Sequence, residues 1–185
     1  MRLGKAGIRM SGSVNNAYDV NDYVVYFSNG VCHIDDIRNE CFAGLGERRY
    51  YVMHAISDPK SVIYVPVDSE KLVSGMQRIL SKEELLGIVD ASEEDDIAWI
   101  SDTKLRAAAF SEIVDSGDRK QMLRIVKALS IHKKRLEADR KRMYASDERI
   151  LNAALKTINE EFSFVLGIDQ KDVIPYILER IGHTE

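Results

Sequence analysis

From Asp22 to Pro66 the apolar positions fall in short runs rich in Val, Ile and Tyr, cut apart by turn residues. The runs are Tyr23-Val-Val-Tyr26, Val31-Cys-His-Ile34, Tyr50-Tyr-Val-Met53 and Val62-Ile-Tyr-Val65. Asn29-Gly30 separates the first two, and glycine accepts positive φ without steric cost, so this pair predicts a hairpin. Gly44-Leu-Gly46 and Ser57-Asp58-Pro59 punctuate the later runs. Strands are expected near 22–27, 31–37, 48–55 and 61–66. Pro66 cannot donate to a ladder and belongs at a strand end or edge. Four short strands with tight turns predict a small, strongly bent antiparallel barrel.

After residue 80 the period changes from two to 3.6. Ser81-Lys-Glu-Glu84 is a capping box that opens a short helix from Leu85 to about Asp90. A helix from about Asp102 to Asp115 ends at Gly117, and Asp118 caps the next, which runs towards residue 143. Met122, Ile125, Val126, Leu129 and Leu136 share one face of it, and Lys120, Arg124, Lys127, Lys134 and Lys141 the other. At 100° per residue those five bases stay within roughly 100° of arc. Ser146 and Asp147 cap a helix whose buried side is Leu151, Ala154, Leu155, Ile158, Phe162 and Val165, ended by Gly167. A last helix carries Val173, Ile174, Ile177 and Ile181, with Pro175 in about its first turn. Strands first and helices afterwards predict an α+β chain of two modules, a barrel and an all-α bundle. The expected divisions are an extension over 1–18, the β module over 19–78, a helix and acidic hinge over 79–98, and the helical module over 99–185.

The 185 residues suffice for two small modules with modest cores, neither deep enough for a large pocket. No apolar run reaches the roughly 20 residues of a membrane span, and Met1–Ser13 lacks the apolar stretch of a secretory signal. Two cysteines make no disulfide framework and suit a reducing cytoplasm. The net charge of −4 is unevenly spread. Residues 81–96 hold seven acids (Glu83, Glu84, Asp90, Glu93, Glu94, Asp95, Asp96) and one base, Lys82, whereas residues 100–145 hold twelve bases against six acids. The second segment has the local balance of a nucleic-acid-facing surface.

Catalytic patterns are lacking. Cys32, His33 and Cys41 do not have the paired spacing of a zinc site, and two barrel cysteines read as core filler. His54, His132 and His183 are scattered, with His132 on the apolar side of its helix. Gly44-Leu-Gly46 alone makes no phosphate loop. The expectation is a protein without enzymatic activity, cofactor or metal.

In order along the chain, Asp22-Tyr-Val-Val-Tyr26, Asn29-Gly-Val31, Tyr50-Tyr-Val-Met53, Val65-Pro-Val67, Ser116-Gly-Asp118, Ser146-Asp-Glu-Arg149-Ile-Leu-Asn-Ala-Ala154 and Glu160-Glu161 resemble the CarD/CdnL family of bacterial transcription regulators. The resemblance spans about residues 19–168. It implies a Tudor-like β module that binds the β subunit of RNA polymerase, with Arg38, Arg48, Tyr64 and Pro66 as the nearest candidates for that contact. It also implies a helical module that touches promoter DNA at the upstream edge of the melted region through Trp99, Lys104 and Arg106. Together with the stripe Lys120, Arg124, Lys127, Lys134 and Lys141, these form the candidate DNA surface. In the family the tryptophan lies closer to the Ser-Gly-Asp turn; here Trp99 sits about one helical turn further away and Thr103 takes that slot. Trp99 therefore has two readings, a residue packed between the modules or a wedge against an unstacked base step. The implied protein is a cytoplasmic, nucleoid-associated monomer that contacts DNA without base readout. The rival is a protein-interaction adaptor that uses the Tudor-like module and makes no DNA contact.

Overall fold

A computed structural model describes residues 17–92 and 97–182. The N-terminal extension up to residue 16 and the four acids Glu93–Asp96 of the expected hinge lie outside the described residues. The β module is a five-stranded antiparallel sheet: β1 Tyr23–Tyr26, β2 Val31–Phe42, β3 Gly46–Ala55, β4 Asp58–Pro66 and β5 Met76–Arg78. Their spatial order is β4-β3-β2-β1-β5. The Asn-Gly hairpin forms, with Val25 opposite Val31, and its loop is a single 3-10 turn at Phe27–Asn29. Gly30 has φ 72°, and a Cβ there would lie 1.6 Å from Glu160 Oε2, so both the turn and the approach of a helix require glycine. Gly44 and Gly46, both at positive φ, close β2 on β3 with Phe42 opposite Gly46.

Two elements of this module go beyond the sequence expectation. Helix α1, Glu70–Val73, is a single turn after β4, and β5 supplies a fifth strand that pairs with β1 through Val24 and Arg78. Alternation places Val24, Tyr26, Cys32, Ile34, Tyr51, Met53, Val65 and Met76 in one core.

The helical module comprises α2 Lys82–Ala91, α3 Thr103–Ser116, α4 Arg119–Ala138, α5 Ala145–Leu166 and α6 Gln170–Gly182. Ser81 accepts from the Glu84 amide at 3.1 Å and the Glu84 side chain accepts from Ser81 N–H at 2.9 Å, which completes the capping box. Gly117 ends α3 at φ 71°, and Asp118 caps α4 by accepting from the Gln121 amide. Leu85 and Val89 of α2 share one core with Phe110, Met122, Ile125, Leu129, Ile158 and Phe162, so the bundle begins at α2 rather than at Trp99. Pro175 lies in the second turn of α6, on its exposed side. No helix among the described residues is long and apolar enough to cross a membrane.

One buried guanidinium joins the modules. Arg119, the first residue of α4, donates from Nε to Glu161 Oε2 at 2.7 Å and from Nη2 to Glu161 Oε1 at 3.1 Å. Its Nη1 donates to Gly117 O and to the Gln77 side chain of β5. Glu161 also accepts the Leu80 amide at 3.2 Å, and Gln77 donates to Ser116 O at 2.6 Å. The carboxylate is thus shared between a charge on the bundle and the strand-to-helix connection, which satisfies the lone pairs that burial would otherwise strand.

Candidate functional site

Trp99 stands on the flank of α4 rather than between the sheet and the bundle. The residue is 40% exposed. One face meets the Arg106 guanidinium, 4.4 Å from the ring centroid, and the ring tilts against His132 at 4.4 Å. Lys127, Ile131 and Arg135 line the shallow groove beside it. Residue Ile97 packs on the bundle core. The arrangement is a supported aromatic face with bases on its border.

Arg106 does not reach that surface. It is 2% exposed and forms a bidentate pair with Asp147 of α5, Nη2 to Oδ2 at 2.7 Å and Nε to Oδ1 at 3.2 Å. Nη1 donates to the carbonyl of Ile100 at 2.7 Å. With its donors used inside, the guanidinium has no route to a phosphate; its role is to hold Trp99 from behind. This removes Arg106 from the expected DNA-contacting set. Lys104 is exposed in the first turn of α3, where Asp102 caps the helix through the Lys104 and Leu105 amides.

The stripe on α4 is shorter than the sequence suggested. Lys127 and Lys134 are exposed, and Lys120 and Arg124 half-buried. Lys141 leaves it, because α4 ends at Ala138 and Arg140 takes up φ 55°, so the 100° step stops before Lys141. Lys141 instead lies in the turn beyond, 3.5 Å from Asp139. Exposed Lys133, Arg135, Arg140 and Arg142 were not singled out by the periodicity, yet they lie on the same end of the bundle.

On the sheet, Arg38 is bound to its own strand, Nε to Glu40 at 2.7 Å and Nη1 to Asp36 at 3.2 Å. Arg48 is exposed on β3 opposite Glu40. Tyr64 belongs to an aromatic cluster with Phe42 at 5.1 Å and Tyr50 at 6.2 Å. Pro66 ends β4, opposite Tyr50, and β4 is an edge of the sheet. Tyr64 and Pro66 therefore lie on an edge strand, and Phe42 of β2 packs its ring against Tyr64.

The two cysteines do not meet. Cys32 faces the core and pairs across the ladder with Ala55, whereas exposed Cys41 pairs with Glu47 at the other end of β2, roughly 30 Å along the strand. Burial, followed by the nearby Glu160 charge, pushes the Cys32 thiol up to about 11. It is a protonated core residue. What the sequence reading missed is paired through the fold: Arg119 with Glu161, Arg106 with Asp147, and His33 and His54 with Asp35. A glutamate on the apolar side of α5, three residues after Ile158, was the available signal for the first.

No curated protein matches the chain. Residues 18–80 match the family model of the CarD-like/TRCF RID domain, and the described strands from β1 to β5 fall inside that span. The β module is therefore a Tudor-like, RNA polymerase-interacting domain of the CarD-like/TRCF family.

Proposed function

We propose that this protein is a non-enzymatic transcription regulator that holds RNA polymerase through its β module and sets its helical module against promoter DNA near the melted region. The domain match over residues 18–80 carries the polymerase half of this reading. The DNA half is supported by Trp99, whose half-exposed ring is backed by Arg106 and bordered by Lys127 and Arg135. An aromatic face of this kind presses on an unstacked base step, and the surrounding bases neutralise phosphates without reading sequence. The effect on initiation follows from linkage. A protein that binds the melted promoter better than the closed one raises the melted population.

The test is reconstitution of the full chain with core polymerase and promoter DNA. The expected result is co-purification with polymerase, weakened by Tyr64→Ala/Pro66→Ala at the β4 edge, and a longer-lived open complex that Trp99→Ala shortens. Retained polymerase binding with no change in open-complex lifetime from the wild-type chain points to the adaptor.

A further inference from the structure

The β2–β3 ladder sets His33 directly opposite His54. Residues two apart on a strand share a face, so Asp35 stands beside His33. The register slips between Ile34 and Asp36, which leaves Asp35 as the extra residue of a bulge. Bulges re-aim a side chain and recur next to functional sites. Here the result is a carboxylate set between two imidazoles. Asp35 Oδ1 lies 2.7 Å from His33 Nδ1, and Oδ2 lies 2.7 Å from His54 Nδ1. One ligand atom from each of the three residues lies within 4.8 Å of the other two. Tyr23 packs on the His33 ring at 4.8 Å and in turn on Phe164 of α5 at 4.9 Å, so one wall of the cluster is fixed by the bundle.

We propose that His33, Asp35 and His54 form a binding site for a divalent transition-metal ion, with Zn²⁺ the best match. Two imidazole nitrogens and one carboxylate are the three-ligand set of open zinc and related sites, whereas Ca²⁺ and Mg²⁺ require more oxygen donors. Bonds of about 2.0–2.2 Å in a tetrahedral arrangement place ligand atoms roughly 3.4 Å apart. The carboxylate–imidazole contacts open, and the wider imidazole pair closes, through side-chain rotations at the partly exposed site. The ion takes the place of the hydrogens that bridge Asp35 to the rings, and each ring then carries its single proton on Nε2. Three protein ligands leave a fourth position for water or for a donor from a binding partner. This site is independent of the proposed DNA contact and uses neither cysteine.

The experiment is calorimetric titration of the tag-free full chain with zinc chloride, repeated with Co²⁺ to read the ligand-field absorption. The expected result is one equivalent bound in a tetrahedral nitrogen–oxygen field. Loss of even an outer partner of a metal ligand costs roughly 10–100-fold in affinity, so His33→Ala/His54→Ala should weaken binding by at least about 100-fold. Cys32→Ser/Cys41→Ser and His132→Ala/His183→Ala should bind as the wild type does. Imidazole resonances of His33 and His54 in the wild-type chain provide a reading that requires no variant to fold, and both should shift as zinc is added. The proposal is overturned by the absence of saturable binding, by unchanged affinity in folded His33→Ala/His54→Ala, or by imidazole resonances of His33 and His54 that stay put at saturation.

Discussion

Arg106 and Asp147 meet inside the helical module as a bidentate pair, 41 residues apart in sequence and 2.7 Å apart at the closest atoms. Both are almost completely buried. Removing one member of such a pair leaves an uncompensated charge and typically costs about 3–5 kcal/mol. Asp147→Ala should lower the unfolding free energy by that order in urea titration. Because the only tryptophan of the chain rests on the Arg106 guanidinium, its fluorescence in the folded variant should change as well. A variant with wild-type stability and an unchanged tryptophan signal would remove the pair from its structural role.

Trp99→Ala separates support from contact. The half-exposed ring contributes a cation–π contact worth about 0.5–1 kcal/mol plus partial burial, so thermal melting should drop by only a few degrees. Under the proposed function the open complex should decay faster at saturating protein, measured by competitor challenge. A large fall in melting temperature with an unaltered decay rate would make Trp99 a packing residue.

The bases of α4 predict DNA binding that is weak, tolerant of sequence and steep in salt. Lys127→Glu/Lys134→Glu should lower affinity equally on unrelated duplexes. Its slope of log affinity against log salt should be shallower by about 2, since each lost phosphate contact removes about 0.9. Gel-shift titrations over a salt series read both quantities. Equal slopes for wild type and variant would mean that these lysines make no phosphate contact.

Glu160 predicts a pH dependence. Burial against the Gly30 turn raises its pKa, and Lys156, 3.9 Å away, only partly opposes this. A carboxyl whose folded pKa exceeds its unfolded value binds more protons in the folded chain. Its stabilising contribution is complete below the unfolded value of about 4.3 and declines as pH rises through the folded one. Glu160→Gln should therefore melt higher than the wild type near neutral pH, and the difference should shrink towards pH 4. Melting curves that run parallel across that range would count against the burial penalty.

Much of the fold was legible because strands and helices carry different periods. The four expected strands, the capping box at Ser81 and the glycine stop at Gly117 all follow from local chemistry. The three residues of β5 have no period of their own and become a strand only through pairing with β1. Arg106 looked like a surface base, because the acid that buries it comes from another helix. Lys141 was misplaced because a helical period says nothing of where the helix stops, and the stop is a left-handed arginine rather than a glycine. The His33–His54 pair was within reach. The Gly44–Gly46 turn sets the β2–β3 ladder, and His-x-Asp on a strand puts both side chains on one face. The bulge at Asp35, which brings all three groups together, had no such local sign.

Arg119 has a mechanical consequence. A domain on a slack linker roams a volume, and its target experiences only a raised local concentration. A single guanidinium hydrogen-bonded to a glutamate of the bundle and to a glutamine of the sheet acts as a locked joint. Swinging the bundle away from the sheet means breaking the hydrogen bonds of Gln77 to Arg119 and to Ser116 and opening the buried Arg119–Glu161 pair to water. The span from the β4 edge to Trp99 is then a built-in length. Whatever grips the sheet also decides where the indole points, and the protein works as a gauge laid between two fixed marks.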